Sequence, residues 1–166
     1  MGGKNINLVS LSSLLEEKQA LSPTNLQLIA KFKEQWGVST YDAIVETHLL
    51  TERQVADILA DYFRVTRVYA IAANDIKDDA FEAISFHDAR RLAIFPLGTD
   101  PRKDEFKVVI SDPTMVDLEA FLRDTLGAYQ YSIHEKSRIL DATLRFYPIV
   151  SQLPSLVFDK SDTETS

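Results

Sequence analysis

Cysteine is absent from the chain, which excludes disulfides, thiolate nucleophiles and sulfur ligands for a metal, and suits a reducing compartment. Glycine is scarce. The five glycines, Gly2, Gly3, Gly37, Gly98 and Gly127, are scattered, and no Gly-Lys-Ser/Thr run occurs. A phosphate loop needs such a run, because glycine lets backbone N–H groups wrap the phosphates and lysine supplies the charge. No ATPase motif is therefore read, and no residue is assigned a catalytic role. The three histidines, His48, His87 and His134, lie too far apart for a local zinc motif, so no metal or cofactor is assigned. His87 beside Asp88 reads as a solvated pair, and Asp78-Asp79 and Asp100 with Asp104 read as surface and turn charge.

Long apolar runs are missing too. Stretches such as AIFPL at 93–97 are far shorter than the roughly 20 residues that span a bilayer, so no membrane insertion is expected. The amino terminus has no secretory apolar segment, and MGGKNI places Ile6 where myristoylation wants Ser or Thr. Positive charge is in deficit, with a net charge of −7 and a pI near 4.9. Nucleic acid or an anionic membrane would need clustered Lys and Arg to displace counterions, so neither is an expected partner. These absences point to a cytoplasmic protein.

What is present is an ordinary core composition, 45% hydrophobic and 26% charged over 166 residues, enough for one medium domain or two small ones. Within it lies a repeat. Residues 9–30 match residues 38–59 at a constant offset of 29, through pairs such as Ser10/Ser39, Leu15/Ile44, Leu21/Leu50, Ser22/Thr51 and Ile29/Ile58. Each copy reads as a helix-turn-helix. Ser22-Pro23 is a helix-opening pair, and Thr51 with Gln54 forms a capping box, so the second helices begin near 23 and 52. Their apolar positions at helical spacing are Leu26, Ile29, Phe32 or Lys33 and Trp36 in one copy, and Val55, Ile58, Leu59 and Tyr62 in the other. Two such hairpins would bury each other's faces as a four-helix unit. A DNA-reading helix-turn-helix fits less well, since the exposed faces carry acids as often as bases.

A second unit begins near Ile71. The pattern predicts a helix over 79–91, a strand over 92–97, a polar turn GTDPRKDE and a strand over 106–111. It continues with a helix after Asp112-Pro113, a strand over 129–134 and a helix over 137–147. In FKVVISDPTMVDLEAFLRDTLG, at 106–127, the strand-to-helix corner has no glycine or lysine for a phosphate. Asp112 reads as the cap, Pro113 as the first turn, Val116, Leu118, Phe121, Leu122 and Leu126 as the buried face, and Gly127 as the stop. The fold class is α+β, with helical repeats at 8–70, a small ββαβα unit with a three-stranded sheet at 71–149, and a linker or unpacked tail at 150–166.

The repeat with its Leu21-Ser22 and Leu50-Thr51 turns, followed by AIFPL, VVISDP and a terminal RFYPI, resembles the MshEN-type N-terminal domain of type II secretion and type IV pilus assembly ATPases over residues 8–149. The resemblance implies two activities. Some members bind cyclic di-GMP through an Arg-Leu-Gly start, a turn glycine and a closing glutamine in each copy; others dock the motor on an inner-membrane platform. Here the Arg-Leu-Gly positions read Ser10-Leu11-Ser12 and Ser39-Thr40-Tyr41, the turn positions Gln19 and His48, and the closing positions Lys33 and Tyr62. Only Leu11 is retained. Phosphates want guanidinium forks and bare backbone, so no cyclic di-GMP binding is expected, although Arg53, Arg64 and Arg67 offer charge in another geometry and Gln35 lies two residues past the closing position. The implied function is a non-catalytic docking domain for a protein partner, such as a cytoplasmic domain of a platform protein. Candidate contact residues are Trp36, Tyr62, Phe63, Arg64 and Arg67, the aromatics serving either as core plugs or as interface anchors.

Overall fold

The computed structural model describes residues 9–153; the MGGKNI stretch and the polar end of the expected tail lie outside the described residues. Both repeats fold at the same offset, α1 (Leu11–Glu17) and α2 (Pro23–Trp36) forming one copy, α3 (Thr40–Glu46) and α4 (Glu52–Phe63) the other. Their caps fix the boundaries. Ser10 and Ser39 are extended and accept from the N–H groups of Ser13 and Asp42, both at 3.1 Å. Ser22 with Asn25, and Thr51 with Gln54, close capping boxes in which each side chain satisfies the other residue's free N–H.

The inner faces differ in one respect from the periodic reading. Ile29 is buried and Leu26 and Phe32 are partly so, but Trp36 is 62% exposed, because Lys33 takes the inward place and donates to Thr40 Oγ1 at 2.7 Å. In the second copy Val55, Leu59 and Phe63 are buried, with Tyr62 at the margin. α2 packs mainly on α3, which also meets α1, whereas α4 lies against the sheet of the second unit.

That unit opens with two short helices, α5 (Ala80–Ala83) and α6 (Phe86–Leu92), in place of the single helix expected over 79–91. Ser85 breaks it: its hydroxyl caps α6 by accepting from Asp88 N at 3.1 Å. β1 (Ile94–Asp100) runs into the stretch read as a polar turn, and β2 (Glu105–Ile110) returns antiparallel to it. Gly98 explains the longer strand. It sits at a register shift with φ +103, and a Cβ there would stand 2.5 Å from Lys77 Cβ, so only glycine fits. α7 (Leu118–Leu126) crosses over to β3 (Tyr129–Ile133), which pairs parallel to β2, giving the order β1-β2-β3. α8 (Lys136–Phe146) packs on β1 and β2, and a last turn of helix, α9 (Ile149–Gln152), occupies the start of the segment read as linker.

The architecture is thus α+β, with a mixed three-stranded sheet under helices. One apolar core runs from Leu11 to Tyr147 through both parts. Phe95 and Tyr147 anchor its far end, ringed edge-on by Phe81, Phe86 and Phe146, and Tyr147 Oη donates to Ile84 O at 2.8 Å. Among the described residues no helix is long and apolar enough to cross a membrane.

The Asp112-Pro113 corner departs from its sequence reading. α7 starts only at Leu118, after Asp117 in the left-handed region, so Asp112 does not cap it and Pro113 lies in a turn instead of a first helical turn. Asp112 is buried, accepting from Thr114 N at 2.9 Å and Thr114 Oγ1 at 2.5 Å, which closes an Asx turn. Val116, expected inside, is exposed because the turn carries it outward. Burial raises the Asp112 pKa, the two Thr114 bonds and Lys136 opposing it and Asp42 adding to it. A carboxyl with a folded pKa above its unfolded value binds more protons folded than unfolded, so its contribution to stability declines as pH rises from about 3.8 through the folded value. Asp112→Asn keeps the accepting oxygen and loses the charge. It should equal or exceed wild-type stability at neutral pH, with an advantage that grows as pH is raised from the carboxylate range. Urea unfolding at a series of pH values measures this, and a variant weaker than wild type at neutral pH contradicts it.

Candidate functional site

The repeat motif positions are occupied by structural work. Ser10 and Ser39, where the resemblance would have arginines, are the N-caps of α1 and α3. Leu11 is core and Ser12 half-buried. Tyr41, where the second copy would have a glycine, is buried and accepts from Lys136 N at 3.3 Å, while Glu52 accepts from Ser137 N at 2.8 Å. These two bonds satisfy the first amides of α8, whose own N-cap, Glu135, supplies no side-chain bond. Burial, foremost, raises the Tyr41 hydroxyl pKa, so it stays protonated. Lys136 adds a bridge to Asp42 at 2.7 Å.

The turn positions tell a different story. Gln19 and His48 are exposed and adopt φ 59 and φ 61, both left-handed, one in each repeat. The backbone keeps a turn that glycine would enter without strain. The closing positions are likewise engaged, Lys33 with Thr40 and Tyr62 edge-on to Phe63 with Lys18 over its ring. Neither repeat offers a free guanidinium at its motif positions.

The five candidate contact residues differ widely in exposure. Phe63 is fully buried, and Arg67 keeps only 10% of its side chain exposed. Its Nε donates to Asp57 at 2.8 Å, Nη1 to Val68 O, and Nη2 lies 3.7 Å from Glu135. Arg64 is exposed and ends α4 with φ 58, Tyr62 is half-buried, and Trp36 is exposed. The structure adds what the periodic reading passed over. Leu28 and Trp36 are exposed on α2, with the half-buried Phe32 between them at the same spacing of four and its ring 6.3 Å from that of Trp36. The spacing is present in the sequence, where periodicity places Trp36, with Phe32 or Lys33, on the inner face. Among the described residues no group of three or more His, Cys, Asp or Glu is gathered to hold a metal ion.

Tandem capped helical hairpins followed by a ββαβα sheet unit give this chain the fold of the MshEN-type N-terminal domain. It superposes on a structure of MshE with cdg, cyclic di-GMP, with TM-score 0.66 and 22% identity over 84% of this chain and 99% of that one. Two structures of the N-terminal domain of XpsE also match. One has TM-score 0.64 and 17% identity over 87% of this chain and 99% of that one; the other has 0.54 and 19% over 82% and 94%. No family model and no curated protein matches the sequence. At these identities the likeness is one of fold.

Proposed function

We propose that the chain is a non-catalytic docking domain that binds a protein of a secretion or pilus machine, such as the cytoplasmic part of an inner-membrane platform protein. The observation that carries this reading is the exposure of Leu28 and Trp36 along α2, with Phe32 half-buried between them. Exposed large apolar groups aligned along a helix are the usual anchors of a partner surface, and tryptophan is prominent among the few residues that dominate binding energy. The fold shared with the XpsE domains supports the class of machine. Leu28→Glu with Trp36→Glu should abolish recovery of such platform domains in a pull-down, a loss of roughly 30-fold or more in affinity by the hot-spot scale. Both side chains lie outside the core, so thermal unfolding should stay close to wild type. Full recovery by the double variant would remove α2 from the interface.

Cyclic di-GMP regulation is the second reading, favoured by the left-handed turns kept at Gln19 and His48 and by the MshE structure with cyclic di-GMP. Against it stand the caps, core and helix-end bonds that now occupy the motif positions. Calorimetric titration with cyclic di-GMP should give no saturable heat. Micromolar binding that is lost on substituting Gln19 and His48 would instead make the chain a receptor.

A further inference from the structure

Apart from these surfaces, one cleft collects guanidinium groups in an otherwise acidic protein. Arg53 from the start of α4, Arg67 and Tyr69 from the segment after it, and Arg138 and Arg145 from α8 line a cavity of about 410 Å³. Arg138 and Arg145 stand two turns apart and so share a face of α8. The acids that line it are Glu135 and Asp141, which leaves four guanidiniums facing two carboxylates. Arg67 is committed to Asp57 and Glu135, and Arg138 stands 3.8 Å from Glu135; Arg53 and Arg145 form no ion pair among the described residues. None of the repeat motif positions borders this cleft, although Arg53, Glu135 and Arg138 also line a neighbouring one beside His48.

A second observation is independent of charge. His134 lines the same cleft and is only 3% exposed; its backbone N–H donates to Ile110 O at 3.1 Å, but its Nδ1 has no partner. A buried ring nitrogen without a partner costs free energy, which marks the wall of this cleft as incompletely satisfied. Burial, foremost, holds the imidazole pKa below its usual value.

We propose that this cleft binds a small phosphate-bearing anion, a phosphomonoester or diphosphate group gripped by Arg53, Arg138 and Arg145 against the fixed Arg67. Guanidinium forks match phosphate oxygens bidentately, and with Arg67 neutralised by Asp57 the three remaining guanidiniums still outnumber Glu135 and Asp141. The volume lies within the range of small-molecule sites and exceeds what a lone carboxylate would fill. Tyr69, 69% exposed with the Arg67 guanidinium 4.6 Å from its ring centre, supplies an aromatic edge on which a base could rest.

Calorimetry at low salt with inorganic pyrophosphate, adenosine diphosphate and a triglutamate peptide tests this on the full chain. Pyrophosphate should saturate a single site, and Arg53→Ala with Arg138→Ala should weaken it roughly tenfold or more. Both arginines are exposed, and an unchanged thermal melt confirms that the variant is folded. Tighter binding of the nucleotide, with the gain lost in Tyr69→Ala, assigns a nucleoside phosphate; equal binding assigns the bare phosphate. The proposal fails if pyrophosphate does not saturate, if the double variant binds as well as wild type, or if triglutamate binds as tightly as pyrophosphate. Because the cleft is separate from Leu28 and Trp36 on α2, loss of pyrophosphate binding in the arginine variant with platform recovery intact would leave the docking reading untouched.

Discussion

Phe63→Ala is expected to lower the unfolding free energy by about 3–5 kcal/mol, the range for deleting a buried phenyl group from a core that cannot collapse around the hole. Phe63 is fully buried at the end of α4 and packs edge-on against Tyr62, with ring centroids 5.0 Å apart. Because α4 lies on the sheet, the cavity would open at the joint between the helical repeats and β3. For a chain of this size the loss corresponds to a fall in melting temperature of roughly 10 °C. Calorimetry checks it. An interface anchor would behave in the opposite way, leaving the melt unchanged while partner recovery fell, so this substitution separates the two roles open to the aromatic residue in the sequence.

Charge reversal at Arg67 should be nearly as damaging, by roughly 3 kcal/mol. The guanidinium bridges α4, through Asp57, to Glu135 at the head of α8, and bonds the Val68 carbonyl beside the strand-like pairing of 66–68 with Ile133. Glutamate at 67 would set three carboxylates together and leave the carbonyl unpaired. Removing one partner of a buried pair costs about 3–5 kcal/mol; solvent at the half-exposed Asp57 reduces that, and repulsion adds to it. Urea unfolding of Arg67→Glu should show the loss, whereas Arg64→Glu, on an exposed side chain, should unfold near wild type. An Arg67 variant as stable as wild type would show that the joint does not depend on this bridge. The comparison also means that substituting Arg64 and Arg67 together cannot map a partner surface, since one of them holds the fold.

Much of the architecture was legible because it rests on local rules. Ser22 with Pro23 and Thr51 with Gln54 announce the starts of α2 and α4, since a hydroxyl placed to accept a free N–H acts within one turn and needs no distant partner; Ser10 and Ser39 cap α1 and α3 by the same rule. The apolar runs read as strands over 92–97 and 106–111 became β1 and β2, although Leu92 and Ala93 close α6 and β1 starts at Ile94. Local rules failed where one residue had two local options, or where a distant contact chose between them. The helix over 79–91 broke at Ser85, which could cap as well as continue; the turn after Pro96 became strand because Gly98 could approach Lys77; and Asp112 turned inward to Thr114 in place of capping α7.

The candidate site divides in the same way. The sequence by itself determined that the repeat motif lacks its arginines and glycines, because residue identity decides which groups are available to bind phosphate. Tertiary structure alone decided what the replacements do. Tyr41 became the cap of a helix 95 residues away, Arg67 was drawn into a joint while Arg64 three residues earlier stayed in water, and Arg53 was brought beside Arg138 and Arg145. Helical periodicity shows which residues share a face, but not which face finds a neighbour. That is settled by which apolar surfaces across the whole chain can cover one another, and on α2 it left Leu28 and Trp36 uncovered.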